Sequence, residues 1–264
     1  MRIAVIIAAA GASSRYADAG GLRHKLDEDL GGKPVLQRTV EVFTKNDRVA
    51  SIIVAGPADP ESAADFRQRY GDRLGLLGAK ICEGGLTHRW ETVRNALTHA
   101  DDCTHVAVHD AARPCFSLDL LDRLLDAAER YPAVIPVIEV PDTIKRVRQT
   151  DEFFGGDDPV ASILGVNPET QKKLRTVSET LDRRGLCLVQ TPQVFEIGLL
   201  RRAYSQPDLS STDDAGLIER LGERVVVVDG EARNIKVTRP ADLDLARAIL
   251  GVRAPEGRPV HKRF

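Results

Sequence analysis

Short apolar runs alternate with amphipathic stretches through the first half of the chain. The run from Ile3 to Ala10 is continuously apolar, which is typical of a strand that is buried on both faces. From Pro34 to Phe43, apolar residues recur at helical spacing. The alternation predicts an α/β fold, with a doubly wound and mostly parallel sheet and right-handed crossovers. The same patterns predict further strands at 51–55, 79–82, 105–108 and 133–137, and further helices at 61–70, 87–99 and 118–130.

The alternation ends after Pro136. Residues 140–147 are charged and have an extended pattern, and 180–183 are predicted to return alongside them. Between these segments, 149–176 is polar and is punctuated by glycine and proline. Loops of that length are functional or disordered in most proteins. Regular patterns resume near Gln190 and predict helices at 199–204, 213–221 and 242–250, and strands at 225–228 and 235–237.

Length and composition are those of a globular protein. The chain has 264 residues, 42% of them hydrophobic, which is enough for one α/β domain with an appendage or for two small domains. We predict a single domain over residues 1–250, with an arm and insertion at about 139–189. The segment 251–264 is rich in arginine, lysine and proline, and it is predicted to be a loose, basic tail.

Charge and cysteine content narrow the range of partners and compartments. A net charge of −2 gives no reason to expect nucleic acid as a partner. No apolar run approaches the length that a bilayer span needs, so we expect no membrane segment. The four cysteines show no CxxC pairing, which indicates small apolar residues in a reducing cytoplasm rather than disulfides or a zinc site.

Candidate chemistry lies where two predicted strands end. The run 105–108 delivers Asp110 and Arg113 to the rim of the sheet, where ligands of open α/β folds bind. An aspartate there can hold a divalent cation, although it can also serve as a turn or cap, and a guanidinium can pair with phosphate oxygens. The first strand ends at Gly11, and the small residues that follow, together with Arg15, suit the close approach of a phosphate.

Two other interpretations of the first strand are weaker. Arg2 and the apolar run are similar to the start of a secretory signal peptide, but the polar residues 13–15 follow without a cleavage region. A dinucleotide-binding fingerprint needs a second and a third glycine at fixed offsets from Gly11, and both are missing. The sequence therefore disfavours an oxidoreductase that uses a dinucleotide.

A series of motifs in order carries a family resemblance. They are Ala9-Ala10-Gly11 with Arg15 and Lys25, Gly84-Gly85 with Arg89 and Thr92-Val93, and the runs 109–114, 190–193, 212–214 and 234–240. In these residues the chain resembles the 2-C-methyl-D-erythritol 4-phosphate cytidylyltransferase family, over about residues 3–250. The His-Asp-Ala-Ala-Arg-Pro and Asn-Ile-Lys-Val-Thr runs are the most specific. The first loop alone would indicate only the wider class of sugar nucleotidyltransferases.

The resemblance implies a reaction and a set of site residues. The reaction transfers CMP from CTP to 2-C-methyl-D-erythritol 4-phosphate, with release of pyrophosphate, in non-mevalonate isoprenoid precursor synthesis. The resemblance implies that Mg²⁺ is the cofactor and Asp110 its ligand, and that the catalytic residues are Arg15, Lys25 and Lys236. The residues implied for nucleotide binding are Ala9, Ala10, Gly11, Gly84, Gly85, Thr92 and Ala111. Those implied for the acceptor phosphate are Arg113, Thr143, Arg183 and Lys236.

The family has a projecting β-arm that is used for dimerisation, so the resemblance implies a homodimer. On the arm, an arginine after a Thr-x-Asp pattern reaches the neighbouring site and meets the substrate phosphate. Residues 180–183 fit this pattern, which makes Arg183 the candidate and Arg184 the alternative. A salt bridge along the arm is the other interpretation of Arg183. The insert in this arm is longer than expected for the family.

Several positions depart from the family pattern. Ser13 stands where a second glycine is common, and the run His24-Lys25-Leu26 replaces a Pro-Lys-Gln run. The stretch from Arg15 to Lys25 is a few residues longer than usual, so Arg23 is an alternative cation for the role of Lys25. The acids at 213–214 are interpreted as a helix N-cap and not as metal ligands.

Two rival functions stay open from the sequence. The first is a cytidylyltransferase for another polyol phosphate, such as ribitol 5-phosphate, because acceptor choice depends on few residues. The second is a nucleotide-binding module without catalysis. The resemblance places several cations at the reacting phosphate. They argue against a module that only binds a nucleotide, because binding alone does not require them.

Overall fold

The computed structural model describes residues 1–100, 102–153 and 173–254. The chain divides into two compact units, the first of Met1–Ile138 with Val189–Phe264 and the second of Glu139–Leu188. The central part of the predicted polar segment, 154–172, lies outside the described residues, as does most of the predicted tail, 255–264. The single-domain organisation stays a prediction.

Strands and helices alternate through the first unit, as the sequence predicts. The described strands in chain order are β1 (Ile3–Ala8), β2 (Val49–Gly56), β3 (Ala79–Glu83), β4 (His105–Asp110), β5 (Ala133–Glu139), β6 (Ile144–Phe153), β7 (Lys173–Leu181), β8 (Cys187–Val189), β9 (Gln193–Glu196) and β10 (Val226–Asp229). The described helices are α1 (Ser14–Asp18), α2 (Val35–Phe43), α3 (Pro60–Leu76), α4 (Arg89–Leu97), α5 (Leu118–Ala128), α6 (Ile197–Tyr204), α7 (Ala215–Arg220) and α8 (Pro240–Leu250), with a 3₁₀ turn at Lys25–Asp27.

The sheet of the first unit runs in the order β10-β5-β9-β4-β1-β2-β3. β1 pairs in parallel with β2 and with β4, and β5 pairs in parallel with β10. β9 is the exception, because it lies antiparallel between β4 and β5. The predicted doubly wound, mostly parallel sheet is confirmed.

Alternate side chains of β1 enter two separate hydrophobic clusters. Ile3, Val5 and Ile7 pack on the face covered by α2, α3, α5 and α8. Ala4 and Ile6 pack on the other face, against α4, α6 and α7. All five side chains are fully buried. Because β1 is apolar on both faces, it can lie in the middle of the sheet, with helices packed on either side. The carboxyl end of β1 lies at the rim of the sheet.

The predicted strand at 235–237 is wrong. A strand needs successive backbone hydrogen bonds to one neighbour, and this segment uses different partners. The Ile235 amide bonds to the carbonyl oxygen of Arg233, and the Val237 amide to that of Ala112. The segment is therefore a loop that is anchored near the end of β4.

The second unit contains the predicted pair of extended segments. β6 and β7 are antiparallel, and Ile144 lies opposite Leu181. Both strands are longer than predicted, because β6 continues to Phe153 and β7 begins at Lys173, within the segment that had no clean sequence period. Mostly polar, exposed side chains cover this hairpin, which explains why hydrophobic periodicity revealed only its ends.

Two further predictions concern the cysteines and the membrane. All four cysteines are free, and three of them, Cys82, Cys103 and Cys115, are buried. In the part of the chain that the structure describes, no helix is both long and apolar enough to cross a membrane.

Candidate active site

A cavity of about 400 Å³ opens where β1 and β4 end side by side. The pairing of Ala8 with Asp110 brings together the two loops that follow these strands. The charge balance of the wall suits a ligand with several negative charges. Among the described residues, the Asp, Glu, Lys and Arg side chains in its lining are one carboxylate, Asp110, and four cations, Arg15, Lys25, Arg89 and Lys236.

His109 fixes the turn that follows β4. Its ring is fully buried and packs against two phenylalanine rings. Nε2 lies 3.1 Å from the carbonyl oxygen of Arg113, which can only accept, so Nε2 carries the proton. Nδ1 then accepts from the Thr191 hydroxyl at 3.0 Å, and that hydroxyl accepts from the Asp110 amide at 3.1 Å. Burial disfavours the charged ring and lowers the pKa of His109 to about 3.

Three cationic side chains surround the carboxylate of Asp110. Lys236 Nζ lies 2.9 Å from Oδ2, Arg113 Nε lies 3.3 Å from the same oxygen, and Arg89 Nε lies 3.6 Å from Oδ1. Burial opposes ionisation, but the field of Lys236, followed by that of Arg89, outweighs it and lowers the pKa of Asp110. Asp110 is therefore ionised, as a metal ligand must be.

Lys236 reaches this carboxylate from the loop that was predicted to be a strand. The next residue, Val237, is buried and donates its amide to the carbonyl oxygen of Ala112 at 2.8 Å. Asn234 is also buried, and its carbonyl oxygen accepts from Nη1 of Arg113 at 2.8 Å. Lys236 is thus held from both sides by residues of its own motif.

Arg89 bridges the carboxylates of Asp110 and Asp214. Its Nη1 lies 2.7 Å from Oδ2 of Asp214, whose side chain is 1% exposed. Tyr204 donates its hydroxyl to the other oxygen of Asp214. Burial opposes the charge on Arg89, but Asp214, and then Asp110, outweigh it and raise the pKa of the guanidinium. The two carboxylates therefore hold a charged Arg89 in the cavity wall.

The interpretation of the acids at 213–214 as a helix cap holds for one of them only. Oδ1 of Asp213 accepts from the Gly216 amide at 3.1 Å in the first turn of α7. The side chain of Asp214 makes no capping hydrogen bond and pairs with Arg89 instead. Local sequence carries no signal for this pair, because the two residues are 125 positions apart.

Both positions of the Gly84-Gly85 turn require glycine. A Cβ on Gly84 would lie 2.6 Å from the carbonyl oxygen of Gly56, and one on Gly85 would lie 2.3 Å from Cβ of Glu91. Thr92 ties the turn to α4, because its hydroxyl accepts from the Gly85 amide at 3.0 Å. The turn can therefore present backbone rather than side chains to a bound base.

Arg15 and Lys25 approach the cavity from the long loop that follows β1. Arg15 lies on α1, which Tyr16 anchors by donating its hydroxyl to Glu28 at 3.0 Å. Burial, followed by repulsion from Lys236, lowers the pKa of Lys25. Arg23, the alternative cation, is not among the described residues that line the cavity.

The structure gathers most of the predicted site residues around this one cavity. Gly84 is not among the described residues that line the cavity, but it lies directly behind one of them. A Cβ on Gly84 would lie 3.0 Å from the Cβ of Ala10. Arg113 braces Asp110 and is not part of the lining. Thr143 and Arg183 belong to the second unit. The predicted residues that line the cavity are Ala9, Ala10, Gly11, Arg15, Lys25, Gly85, Thr92, Asp110, Ala111 and Lys236.

Two residues of this site had no role in the sequence interpretation. Arg89 was part of a matching motif, and its position next to Gly84-Gly85 was a usable signal. His24 is a departure from the family pattern; among the described residues it lies beside the cavity lining and contacts Gly11 and Ser13 of the first loop. Their functions depend on partners that are distant in the chain, which the motif alone does not show.

Asp110 suits magnesium when phosphate oxygens supply other ligands. Within residues 1–100, 102–153 and 173–254, no group of three or more His, Cys, Asp or Glu side chains could hold a metal ion. Mg²⁺ is commonly bound by one or two carboxylates together with substrate phosphates. The ionised Asp110 in the cavity wall supplies one such carboxylate, so the residues fit Mg²⁺ that binds with a nucleotide.

A family profile and two relatives that match this chain carry the same name. The profile of the 2-C-methyl-D-erythritol 4-phosphate cytidylyltransferase family matches residues 3–158 and 162–252. A protein of that name from Frankia casuarinae is 38% identical over 251 residues, which cover 94% of this chain and 81% of the relative. Another, from Geobacillus thermodenitrificans, is 34% identical over 259 residues, which cover 97% of this chain and 100% of the relative.

Solved structures agree. The crystal structure of 2-C-methyl-D-erythritol 4-phosphate cytidylyltransferase from Thermus thermophilus matches with a TM-score of 0.68 and 31% identity, and it covers 96% of this chain and 100% of that one. The 4-diphosphocytidyl-2C-methyl-D-erythritol synthase of Anaerococcus prevotii matches with a TM-score of 0.70 and 26% identity, over 95% and 98% of the two chains. By motif, site and overall similarity, the chain belongs to the 2-C-methyl-D-erythritol 4-phosphate cytidylyltransferase family.

Proposed function

We propose that this protein transfers CMP from CTP to 2-C-methyl-D-erythritol 4-phosphate and releases pyrophosphate, in isoprenoid precursor synthesis. The observation that carries the proposal is the cavity at the ends of β1 and β4, where, among the described residues, four cationic side chains accompany one carboxylate. Both substrates are anions that repel each other. A protein that joins them must align them and cancel their charge, and this cavity has the means for both.

The acceptor phosphate attacks the α-phosphorus of CTP. A phosphate monoester dianion is already nucleophilic near neutral pH, so the reaction needs no strong general base. Arg15 and Lys25 approach from the loop after β1 and are assigned to the α-phosphate and the leaving pyrophosphate. Because the pKa of Lys25 is lowered while other cations surround it, an arriving triphosphate favours its charged form. The two cations then stabilise the negative charge that accumulates on these phosphates in the transition state.

The nucleotide is assigned to three backbone segments of the cavity. Residues 9–11 lie at the end of β1 and can approach the triphosphate through their amides. The Gly84-Gly85 turn, which Thr92 holds in place, is assigned to the base and ribose. Ala111 follows the metal ligand and lines the same wall. Recognition through backbone groups fits the steric need for glycine in the turn.

Mg²⁺ is proposed as the cofactor. Asp110 would hold it together with oxygens of the triphosphate, and the ion would neutralise part of the triphosphate charge. Lys236 and Arg89, whose field keeps this carboxylate ionised, also line the cavity that would receive the triphosphate.

The acceptor phosphate is assigned to Lys236, with Arg113 bracing the shared carboxylate. Thr143 is also assigned to this phosphate, and Arg183, on the second unit, is proposed to reach it from the partner chain of a homodimer. An apolar pair on the hairpin supports this assembly, because Val147 and Val177 lie opposite each other and are 41% and 59% exposed. Packing against a second chain would remove this pair from water.

A cytoplasmic location is proposed from the four free cysteines, since a reducing compartment keeps thiols unpaired.

One assay tests the function directly. Pyrophosphate release is measured with CTP and Mg²⁺ and with either 2-C-methyl-D-erythritol 4-phosphate or ribitol 5-phosphate as acceptor. We expect turnover with the first acceptor and far less with the second. Preference for ribitol 5-phosphate would reassign the substrate, and no pyrophosphate release with either acceptor would leave a nucleotide-binding module.

A further inference from the structure

Ser13 and His24, two of the positions where this chain departs from the family pattern around Lys25, contact each other. Nε2 of His24 lies 2.8 Å from Oγ of Ser13 and 3.0 Å from the carbonyl oxygen of Gly11. On the other side of the ring, Nδ1 accepts from the Leu26 amide at 3.3 Å. One imidazole therefore connects the loop after β1 to the 3₁₀ turn that begins at Lys25.

These contacts determine which nitrogen of His24 carries the proton. The Gly11 carbonyl oxygen can only accept, and the Leu26 amide can only donate. Both bonds form together when Nε2 is protonated and Nδ1 is not. The ring therefore acts in its neutral form as donor to one segment and acceptor from the other.

Ser13 has a backbone conformation that makes such support useful. Its φ is 58°, in the left-handed region, where residues with a Cβ are uncommon and glycine is at ease. A glycine at this position would adopt the conformation freely but would offer no side chain to hold. The hydroxyl of Ser13 provides a hydrogen-bonding group, and Nε2 of His24 is its partner. A proline at position 24 could make neither side-chain contact.

We propose that His24 is a positioning residue of this enzyme, which clamps the Gly11–Ser13 loop to the turn that carries Lys25. We call this contact the Ser13–His24 clamp. Its effect is to hold the loop backbone and the Lys25 ammonium in register for the triphosphate of CTP, so the inference rests on the proposed function. The clamp acts through Lys25 and the loop, since His24 is assigned no contact with the reacting atoms.

The alternative is that His24 only caps the 3₁₀ turn. His24→Asn separates the two roles, because the Asn side chain can still accept from the Leu26 amide but is too short to reach Gly11. His24→Gln tests the opposite end, because it can reach Gly11 and cannot cap in the same way. His99→Asn, at an exposed histidine away from the cavity, is the matched control.

Two measurements on the free protein need no catalysis: amide hydrogen exchange in the segment 11–15, and calorimetric titration with CTP and Mg²⁺. For His24→Asn we expect faster exchange in this segment and a five- to tenfold weaker Kd for CTP, about the effect of one or two lost hydrogen bonds. The KM for 2-C-methyl-D-erythritol 4-phosphate and the melting temperature should stay unchanged. His24→Gln should retain more CTP affinity than His24→Asn.

A double-mutant cycle links the two residues. Ser13→Ala should weaken CTP binding in the parent and have no further effect in the His24→Asn background. If His24→Asn fails to fold, Ser13→Ala, which leaves the turn capped, supplies the same exchange and titration readouts. The proposal would be overturned if the clamp variants showed the same amide hydrogen exchange and the same Kd for CTP as the parent. Additive effects of the two substitutions in the cycle would also overturn it. Absence of pyrophosphate release by the parent would count against the proposed function alone.

Discussion

The ammonium of Lys236 lies 2.9 Å from the carboxylate of Asp110. The sequence assigned these residues to different tasks, one to the acceptor phosphate and the other to the metal. In the structure they form one charged cluster, in which the field of Lys236 lowers the pKa of Asp110 and keeps this carboxylate ionised. The cluster explains why a change at Asp110 is expected to affect both substrates.

Asp110→Asn is expected to need much more Mg²⁺ to reach half-maximal activity. Asparagine keeps the shape of the side chain but removes the charge that a hard cation prefers. Its neighbours Lys236, Arg89 and Arg113 would also lose their shared counter-charge. The measurement is initial rate against Mg²⁺ concentration, with Asp47→Asn, at an exposed aspartate, as the control. A Mg²⁺ dependence equal to the parent's in a folded variant would make Asp110 a turn residue.

Lys25→Ala is expected to lower kcat by about 10²–10³ while changing the Kd for CTP much less. The reason is that a preorganised cation acts mainly on charge that develops in the transition state. Steady-state kinetics and CTP titration together give the two values. Arg23→Ala is the comparison, since Arg23 does not line the cavity, and it should keep kcat near the parent's. The reverse result would move the catalytic role from Lys25 to Arg23.

Asp214→Asn is expected to lower both stability and activity. The change leaves the partly exposed Arg89 guanidinium without its nearest counter-charge, so we expect a loss below the about 3 kcal/mol that breaking a fully buried pair costs. Urea denaturation measures the loss, and the KM for CTP reports the displacement of Arg89. Asp213→Asn is the matched control, because asparagine can still accept from the Gly216 amide. Equal stability of the two variants would contradict the role of the Arg89–Asp214 pair.

Stability is expected to fall on mild acidification because of His109. The folded protein holds the pKa of His109 at about 3, whereas the unfolded chain protonates this residue near about 6.5. Stability from the neutral ring is therefore complete above the unfolded pKa and is lost as the pH falls towards the folded one, by at most about 1.4 kcal/mol per pH unit.

Urea denaturation of the parent and of His109→Gln between about pH 7 and pH 5, a range that begins above and ends below the unfolded pKa of His109, tests this expectation. The variant should show a smaller pH slope than the parent. His105, whose pKa burial also lowers, is present in both proteins and cancels in the comparison. Identical slopes would show that His109 titrates in the folded protein as it does in the unfolded chain.

Arg183→Ala and Lys25→Ala proteins are each expected to be nearly inactive, and re-equilibrated mixtures of them should regain activity. If Arg183 serves the site of the partner chain, a mixed dimer contains one site with both residues intact. Pyrophosphate release after subunit exchange is the measurement, and each variant mixed with itself is the control. No recovery despite proven exchange would place Arg183 in its own chain's site or outside any site.

Hydrophobic periodicity and short motifs by themselves determined the strands β1 to β5 and β10 of the first unit and most of the rim, but not the antiparallel β9. β1 and β4 are apolar runs that end in Gly11 and in Asp110, and the pattern of a buried strand is local, so it can be recognised without the fold. The site residues within or next to such runs, such as Arg15, were therefore predictable. The hairpin β6–β7 was predicted only at its ends, because its exposed strands carry little apolar period.

Tertiary structure alone decided how these residues pair. Asp214 lies beside Arg89 because α7 and α4 pack on the same face of the sheet, although 125 positions separate the two residues. The 235–237 segment has a strand-like pattern but no neighbouring strand edge among the described residues, so it became the loop that carries Lys236 to Asp110. Composition and spacing specify which side chains are available, whereas packing of distant segments decides which charges meet, and that packing has no local sequence signature.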